Sequence, residues 1–129
     1  CGAAAKWSSF KRRGHDMANA SNAGAADPVY ELMARHRILF EIIGECGGLI
    51  DEVLARKQGR TITDADRGIF NAAFEAEERA MAELTATTPT TKAGARAAID
   101  YIADYDAGFA EDHAAKFLRT LKLSPLLAD

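Results

Sequence analysis

The chain has few of the residues on which metal and nucleophilic sites depend. Its 129 residues include only two cysteines and three histidines. The Cys-x-x-Cys and His-x₃₋₅-His spacings of zinc sites are missing. So are the Glu-x-x-His motif of carboxylate-bridged metal centres in helical bundles and a glycine-rich phosphate loop. The sequence therefore predicts no catalytic residue, no metal ligand and no cofactor.

Long apolar runs are also missing, because charges interrupt even residues 38–54. No signal-peptide pattern is present. We therefore expect a cytoplasmic protein with no membrane segment. Cys1-Gly2 would also suit the start of a mature lipoprotein, a minor alternative. Cys46 falls on an apolar stripe and is expected to be a small buried hydrophobe.

The charge balance argues against a nucleic-acid partner. The formal net charge is −3 and the pI is about 5.6. Residues 1–26 hold four basic side chains and one acidic one, so the remainder of the chain is more acidic than the whole. An acidic domain repels phosphate backbones, so we expect no nucleic-acid partner.

Residues 1–26 are expected to form a flexible tail, because they mix small and polar residues without a sustained period. Trp7 and Phe10 are the exceptions and suit docking on a groove or a neighbouring subunit. Codons for Lys11-Arg12-Arg13 can form a purine-rich run that resembles a ribosome-binding site. This run would lie just before Met17, as such a site lies before a start codon. Residues 1–16 are therefore interpreted as translated leader or sequence added for expression. Residues 27–129 are predicted to form a single helical domain.

The stretch Asp27–Gln58 organises that domain. Asp27-Pro28 is a strong helix opening, and apolar residues then recur at alternating steps of three and four. Further apolar side chains flank this stripe, which makes the apolar side too wide for one helical partner. We expect the helix to pack on its own chain on one side and on a second copy on the other. The candidate oligomer-interface residues are His36, Ile38, Ile42, Ile43, Leu49 and Ile50.

Glycines interrupt the middle of this stretch at Gly44, Gly47 and Gly48, and each weakens a helix interior. The sequence favours a continuous but bent helix. The alternative is a break into two helices near Gly47.

Three further helices are predicted after Gly59, which suits the left-handed residue past a helix end. They span about 64–86, 91–106 and 109–123. Thr63 and Asp66 have capping-box spacing at the start of the first. Glu77 interrupts the apolar face of that helix. A break is expected within Asp104–Gly108, the alternative being one long helix through Gly108.

His36 is the most suggestive residue for chemistry, since it lies on the apolar stripe. A catalytic histidine would need a nucleophile or an orienting carboxylate from another helix. A hydrogen-bonded interface histidine is the preferred interpretation. Glu111-Asp112-His113 is interpreted as a solvated helix face.

The Asp-Pro-opened helix with Arg35-His36-Arg37, the acidic helix after it and the segment Leu84–Ala98, LTATTPTTKAGARAA, resemble short alphaproteobacterial proteins of unassigned function. The resemblance covers Asp27 to about Tyr105. It implies a small bacterial helical protein and provides no catalytic residues.

The sequence thus predicts an all-α, bundle-like fold: a long antiparallel helical hairpin with one or two C-terminal helices, completed by oligomerisation. The expected function is interaction or regulation as a homo-oligomer, most simply a dimer. The alternative is a small-molecule-binding or metal-binding helical-bundle enzyme with a site between subunits near His36.

Overall fold

The computed structural model describes residues 27–109 and 111–128, and this part of the chain contains five α-helices and no strand. The helices are α1 (Pro28–Cys46), α2 (Glu52–Lys57), α3 (Asp64–Ala86), α4 (Lys92–Phe109) and α5 (His113–Leu121). Short 3₁₀ turns occupy Gly47–Ile50 and Pro125–Leu127. The predicted all-α class is confirmed, whereas completion by oligomerisation stays a prediction. The expectations for residues 1–26 lie outside the described residues.

α1 and α3 begin at the capping residues that the sequence indicated, Asp27 and Thr63. Thr63 and Asp66 form a reciprocal capping box, with distances of 2.9 and 3.1 Å between side-chain oxygen and backbone nitrogen. Gly59 has a φ of 67°, which favours glycine. The bounds predicted for α3 are those observed.

The first helix breaks, so the prediction of a continuous bent helix is wrong. α1 ends at Cys46, and Gly47 and Gly48 enter a 3₁₀ turn. Asp51 is then extended, and its carboxylate accepts from the Leu54 N–H at 3.0 Å, which starts α2. A local cap competes here with helix propagation through two glycines, and the cap is the more stable arrangement.

Arg60 fixes this turn by donating to two of its carbonyls. The guanidinium lies 2.7 Å from the Gly48 oxygen and 3.2 Å from the Leu49 oxygen. It also lies 3.7 Å from Asp66. The turn is therefore tied to the start of α3, which returns the chain antiparallel to α1.

The break between the last two helices lies later than predicted. α4 continues through Asp104 and Gly108 to Phe109. The Asp106 carboxylate accepts from the Ala114 N–H at 2.6 Å and contacts His113 Nδ1 at 3.0 Å. Asp106 thus stays helical while its side chain anchors the first turn of α5.

α1 and α3 form the predicted long hairpin, α4 packs on α1, and α5 bridges α3 and α4. Buried apolar side chains from all four form one core. Its members are Val29, Tyr30, Leu32, Met33, Phe40, Met81, Leu84, Ala98, Tyr101, Ile102, Tyr105 and Phe117. Thr120 and Ser124 secure α5 and the following turn through hydrogen bonds to the carbonyls of Thr85 and Pro89, at 2.6 and 3.1 Å.

The Asp27 carboxylate joins the starts of two helices. One oxygen accepts from the Val29 N–H in α1 at 3.3 Å. The other accepts from the N–H groups of Thr90 and Thr91, at 3.1 and 2.8 Å, just before α4. This oxygen occupies the space that a Cβ at position 94 would need, which explains why the residue there is glycine.

Candidate functional site

The centre of the molecule holds a polar network built on His36. The imidazole is completely buried, with Nε2 2.7 Å from Glu77 Oε1 and Nδ1 2.6 Å from the Tyr101 hydroxyl oxygen. If Nε2–H donates to the Glu77 carboxylate, Nδ1 accepts from the Tyr101 O–H. This single tautomer satisfies both contacts.

Tyr105 extends the network through a hydrogen bond with Glu77. Burial raises the pKa of the Tyr105 hydroxyl well above its usual range, and Glu77 raises it further through the hydrogen bond and its charge. Burial also raises the pKa of Tyr101. Both tyrosines therefore stay protonated and can donate at physiological pH.

Helical spacing explains why these side chains meet. His36 is near the middle of α1, Glu77 near the middle of α3, and Tyr101 and Tyr105 are one turn apart on α4. Glu77, which interrupts the apolar face of α3 in the sequence, is 1% exposed and supplies the carboxylate that a functional His36 would require. Within the described part of the chain, no buried side-chain nitrogen or oxygen lacks a partner.

A cavity of about 580 Å³ opens beside this network. Glu77 and Tyr105 belong to its wall, which α1, α3, the end of α4 and α5 build together. The lining residues are Phe40, Ile43, Phe70, Phe74, Glu77, Glu78, Met81, Ala82, Thr85, Tyr105, Phe109, Glu111, His113 and Lys116. Five of these residues are phenylalanine or tyrosine.

The aromatic side chains of the wall form two groups. The ring centroids of Phe40, Tyr105 and Phe109 lie 5.1–5.7 Å from one another. Phe70 and Phe74 stack along α3 at 6.2 Å. Such separations are those of favourable aromatic pairs. Phe74 is 45% exposed, so the apolar wall continues to the surface.

His113 and Asp106 form a second polar pair at this cavity. The Asp106 carboxylate holds His113 Nδ1 at 3.0 Å, and the ring centroids of His113 and Tyr105 are 5.4 Å apart. The His113 side chain is only 18% exposed. Its interpretation as part of a solvated face is therefore wrong, because the carboxylate seven residues earlier draws the ring against the cavity. Neither Asp106 nor this contact was indicated by local sequence.

The predicted interface residues differ in their burial. His36 is an interior residue, so its assignment to a subunit interface is wrong: the carboxylate of Glu77 and the hydroxyl of Tyr101 hold it inside one chain. Ile38 and Ile42 are 55% and 39% exposed on the outer side of α1.

The other three interface candidates are partly buried within the chain. Ile43 lines the cavity. Leu49 and Ile50 belong to the 3₁₀ turn, which packs against α3. Cys46, expected to be a small buried hydrophobe, is a free and only partly buried cysteine.

Over residues 27–109 and 111–128, no group of three or more His, Cys, Asp or Glu side chains is arranged to hold a metal ion. None of the helices described is long and apolar enough to cross a bilayer. Comparison of the chain with protein-family models, curated proteins and solved structures gives no significant match.

Proposed function

We propose that the protein binds a small organic molecule in the cavity between α1, α3, α4 and α5. The cavity itself carries the proposal, because about 580 Å³ lies within the range of small-molecule sites. Its lining combines eight apolar or aromatic side chains with six polar ones, so it offers both a surface for packing and groups that can orient a ligand.

The buried network supports binding more than catalysis. His36 already makes contacts through both ring nitrogens, and Glu77 holds His36 and Tyr105. Groups so engaged fix the positions of the helices and keep the Tyr105 ring in the wall. A preformed wall of this kind lowers the entropic cost of binding.

An NMR titration with 2-(1-naphthyl)ethanol, a neutral aromatic probe, tests the proposal. We expect amide shifts concentrated at cavity residues. Phe74→Lys should weaken binding, because it places a charge in the apolar wall. Ile69→Lys is the matched control, since Ile69 is 52% exposed on the same helix and does not line the cavity. Absence of binding, or equal weakening by both substitutions, would refute a site in this cavity.

We also propose self-association, the function expected from the sequence, as a second candidate. The exposed pair Ile38 and Ile42 supports it, because the two lie one turn apart on the outer side of α1. The combined substitution Ile38→Lys/Ile42→Lys should lower the sedimenting mass, and Ile99→Lys, on the exposed side of α4, should not. A monomeric wild-type protein at high concentration would exclude this candidate. The cytoplasm stays the predicted compartment.

A further inference from the structure

We propose that the ligand of the cavity is an organic cation with an aromatic body, of the arylalkylammonium class. This inference rests on the proposed binding function and adds the chemical class of the ligand. Two independent features of the wall support it, the aromatic rings and the distribution of charge.

The aromatic rings suit both parts of such a ligand. Phe40, Tyr105 and Phe109 form a contiguous apolar cluster, and Phe70 and Phe74 continue the wall toward the solvent. Aromatic side chains gain by packing with another ring. Their faces also attract cations, and the attraction grows as water is excluded.

The charges of the wall favour a cation over an anion. Three carboxylates, those of Glu77, Glu78 and Glu111, line the cavity, against one ammonium group, that of Lys116. The carboxylates lower the free-energy cost of bringing an ammonium ion into this partly buried site. A carboxylate ligand would instead be repelled by three groups and attracted by one.

Glu78 and Glu111 are available for this role. No ion pair or side-chain hydrogen bond engages either of them among the described residues. Both are exposed, so they lie at the mouth of the cavity. Glu77 is different, since it is buried and already holds His36 and Tyr105. The ammonium group of the ligand is therefore placed at the mouth and its aromatic body inside.

Three compounds with similar skeletons test the ligand class by isothermal titration calorimetry. They are 2-(1-naphthyl)ethylamine, the alcohol 2-(1-naphthyl)ethanol and the anion 1-naphthylacetate. At pH 7 and low salt, the amine should bind about tenfold more tightly than the alcohol. The anion should bind more weakly than the alcohol.

Substitution of the two carboxylates at the mouth locates the charge recognition. Glu78→Gln and Glu111→Gln should each weaken amine binding by about threefold and leave alcohol binding unchanged. Glu75→Gln is the matched control, because it removes the same charge from an exposed position of α3 outside the cavity. All three positions are exposed, so the variants should remain folded.

The results separate this inference from the proposed function. If the alcohol and the amine bind equally in the cavity, or if the anion binds best, the cavity remains a binding site and the cationic ligand class is wrong. The class is also wrong if Glu75→Gln weakens amine binding as much as the other two substitutions. If none of the three compounds binds, the proposed function fails together with the inference.

Discussion

Glu77→Leu is the substitution that tests the buried network most directly. The side chain is 1% exposed, and its carboxylate is the hydrogen-bond partner of His36 Nε2, at 2.7 Å, and of Tyr105. Leucine has a similar size and no polar atom. The change therefore removes the acceptor while leaving two buried donors in place.

The expected loss follows from those donors. A buried polar group without a partner costs about 1–3 kcal/mol, so two of them amount to about 2–6 kcal/mol. The cavity beside Tyr105 can admit water, which partly solvates its hydroxyl group. We therefore expect the free energy of unfolding to fall by about 2–4 kcal/mol. Total stabilities of small domains are about 5–15 kcal/mol, so this loss is readily measured.

Urea unfolding followed by circular dichroism at 222 nm provides the measurement. Glu78→Leu is the matched control, because the neighbouring side chain is exposed and its loss should change stability by at most about 0.5 kcal/mol. Glu77→Gln retains an acceptor for His36 and should cost less than Glu77→Leu, which provides a readout if the leucine variant does not fold. Equal stabilities for the Glu77→Leu and Glu78→Leu variants would refute the network as a stabilising element.

A double-mutant cycle separates the contribution of Tyr105. Tyr105→Phe removes the hydroxyl group that loses its Glu77 contact in Glu77→Leu. The combined variant should therefore lose less stability than the sum of the two single variants, by about 1–2 kcal/mol. Simple additivity would show that the Tyr105–Glu77 contact contributes nothing.

Two further predictions concern the helix junction and alkaline pH. Gly94→Ala should lower the free energy of unfolding by about 2 kcal/mol or more, because the new Cβ overlaps the Asp27 carboxylate. Gly68→Ala should raise it by up to about 1 kcal/mol, because a Cβ at that position of α3 meets open space. The raised pKa values of Tyr101 and Tyr105 keep both hydroxyls protonated in the folded state, while in the unfolded state they ionise near their ordinary value of 10.0. The two hydroxyls therefore stabilise the folded state fully below pH 10. Above pH 10 this stabilisation declines, by about 1–3 kcal/mol in total at pH 11, the lower part of the range applying because the cavity admits water beside Tyr105.

Thermal and urea unfolding check both predictions. Equal effects of the two alanine substitutions would contradict the account of Gly94. For the tyrosines, the wild-type protein and the Tyr101→Phe/Tyr105→Phe variant are compared at pH 9 and pH 11. The variant should lose less stability than the wild type over this interval. Parallel losses would show that other groups cause the alkaline transition.

The sequence alone determined the helical class and the starts of α1 and α3. These depend on local chemistry: Asp27-Pro28 starts α1, the Thr63–Asp66 pair starts α3, and Gly59 adopts the left-handed conformation. Such signals act over a few residues and can be read from spacing. Where two local signals competed, as at Gly47 and at Asp106, the sequence did not decide which would dominate.

The site depended on tertiary structure. His36 and Glu77 are 41 residues apart, and His36 and Tyr101 are 65 apart. The sequence marked His36 and Glu77 as polar exceptions on apolar faces, but it could not show that the two faces meet. Only the packing of α1, α3 and α4 decided that these polar groups satisfy one another inside one chain. The same packing, with the short α5 beside α3, left the aromatic cavity open.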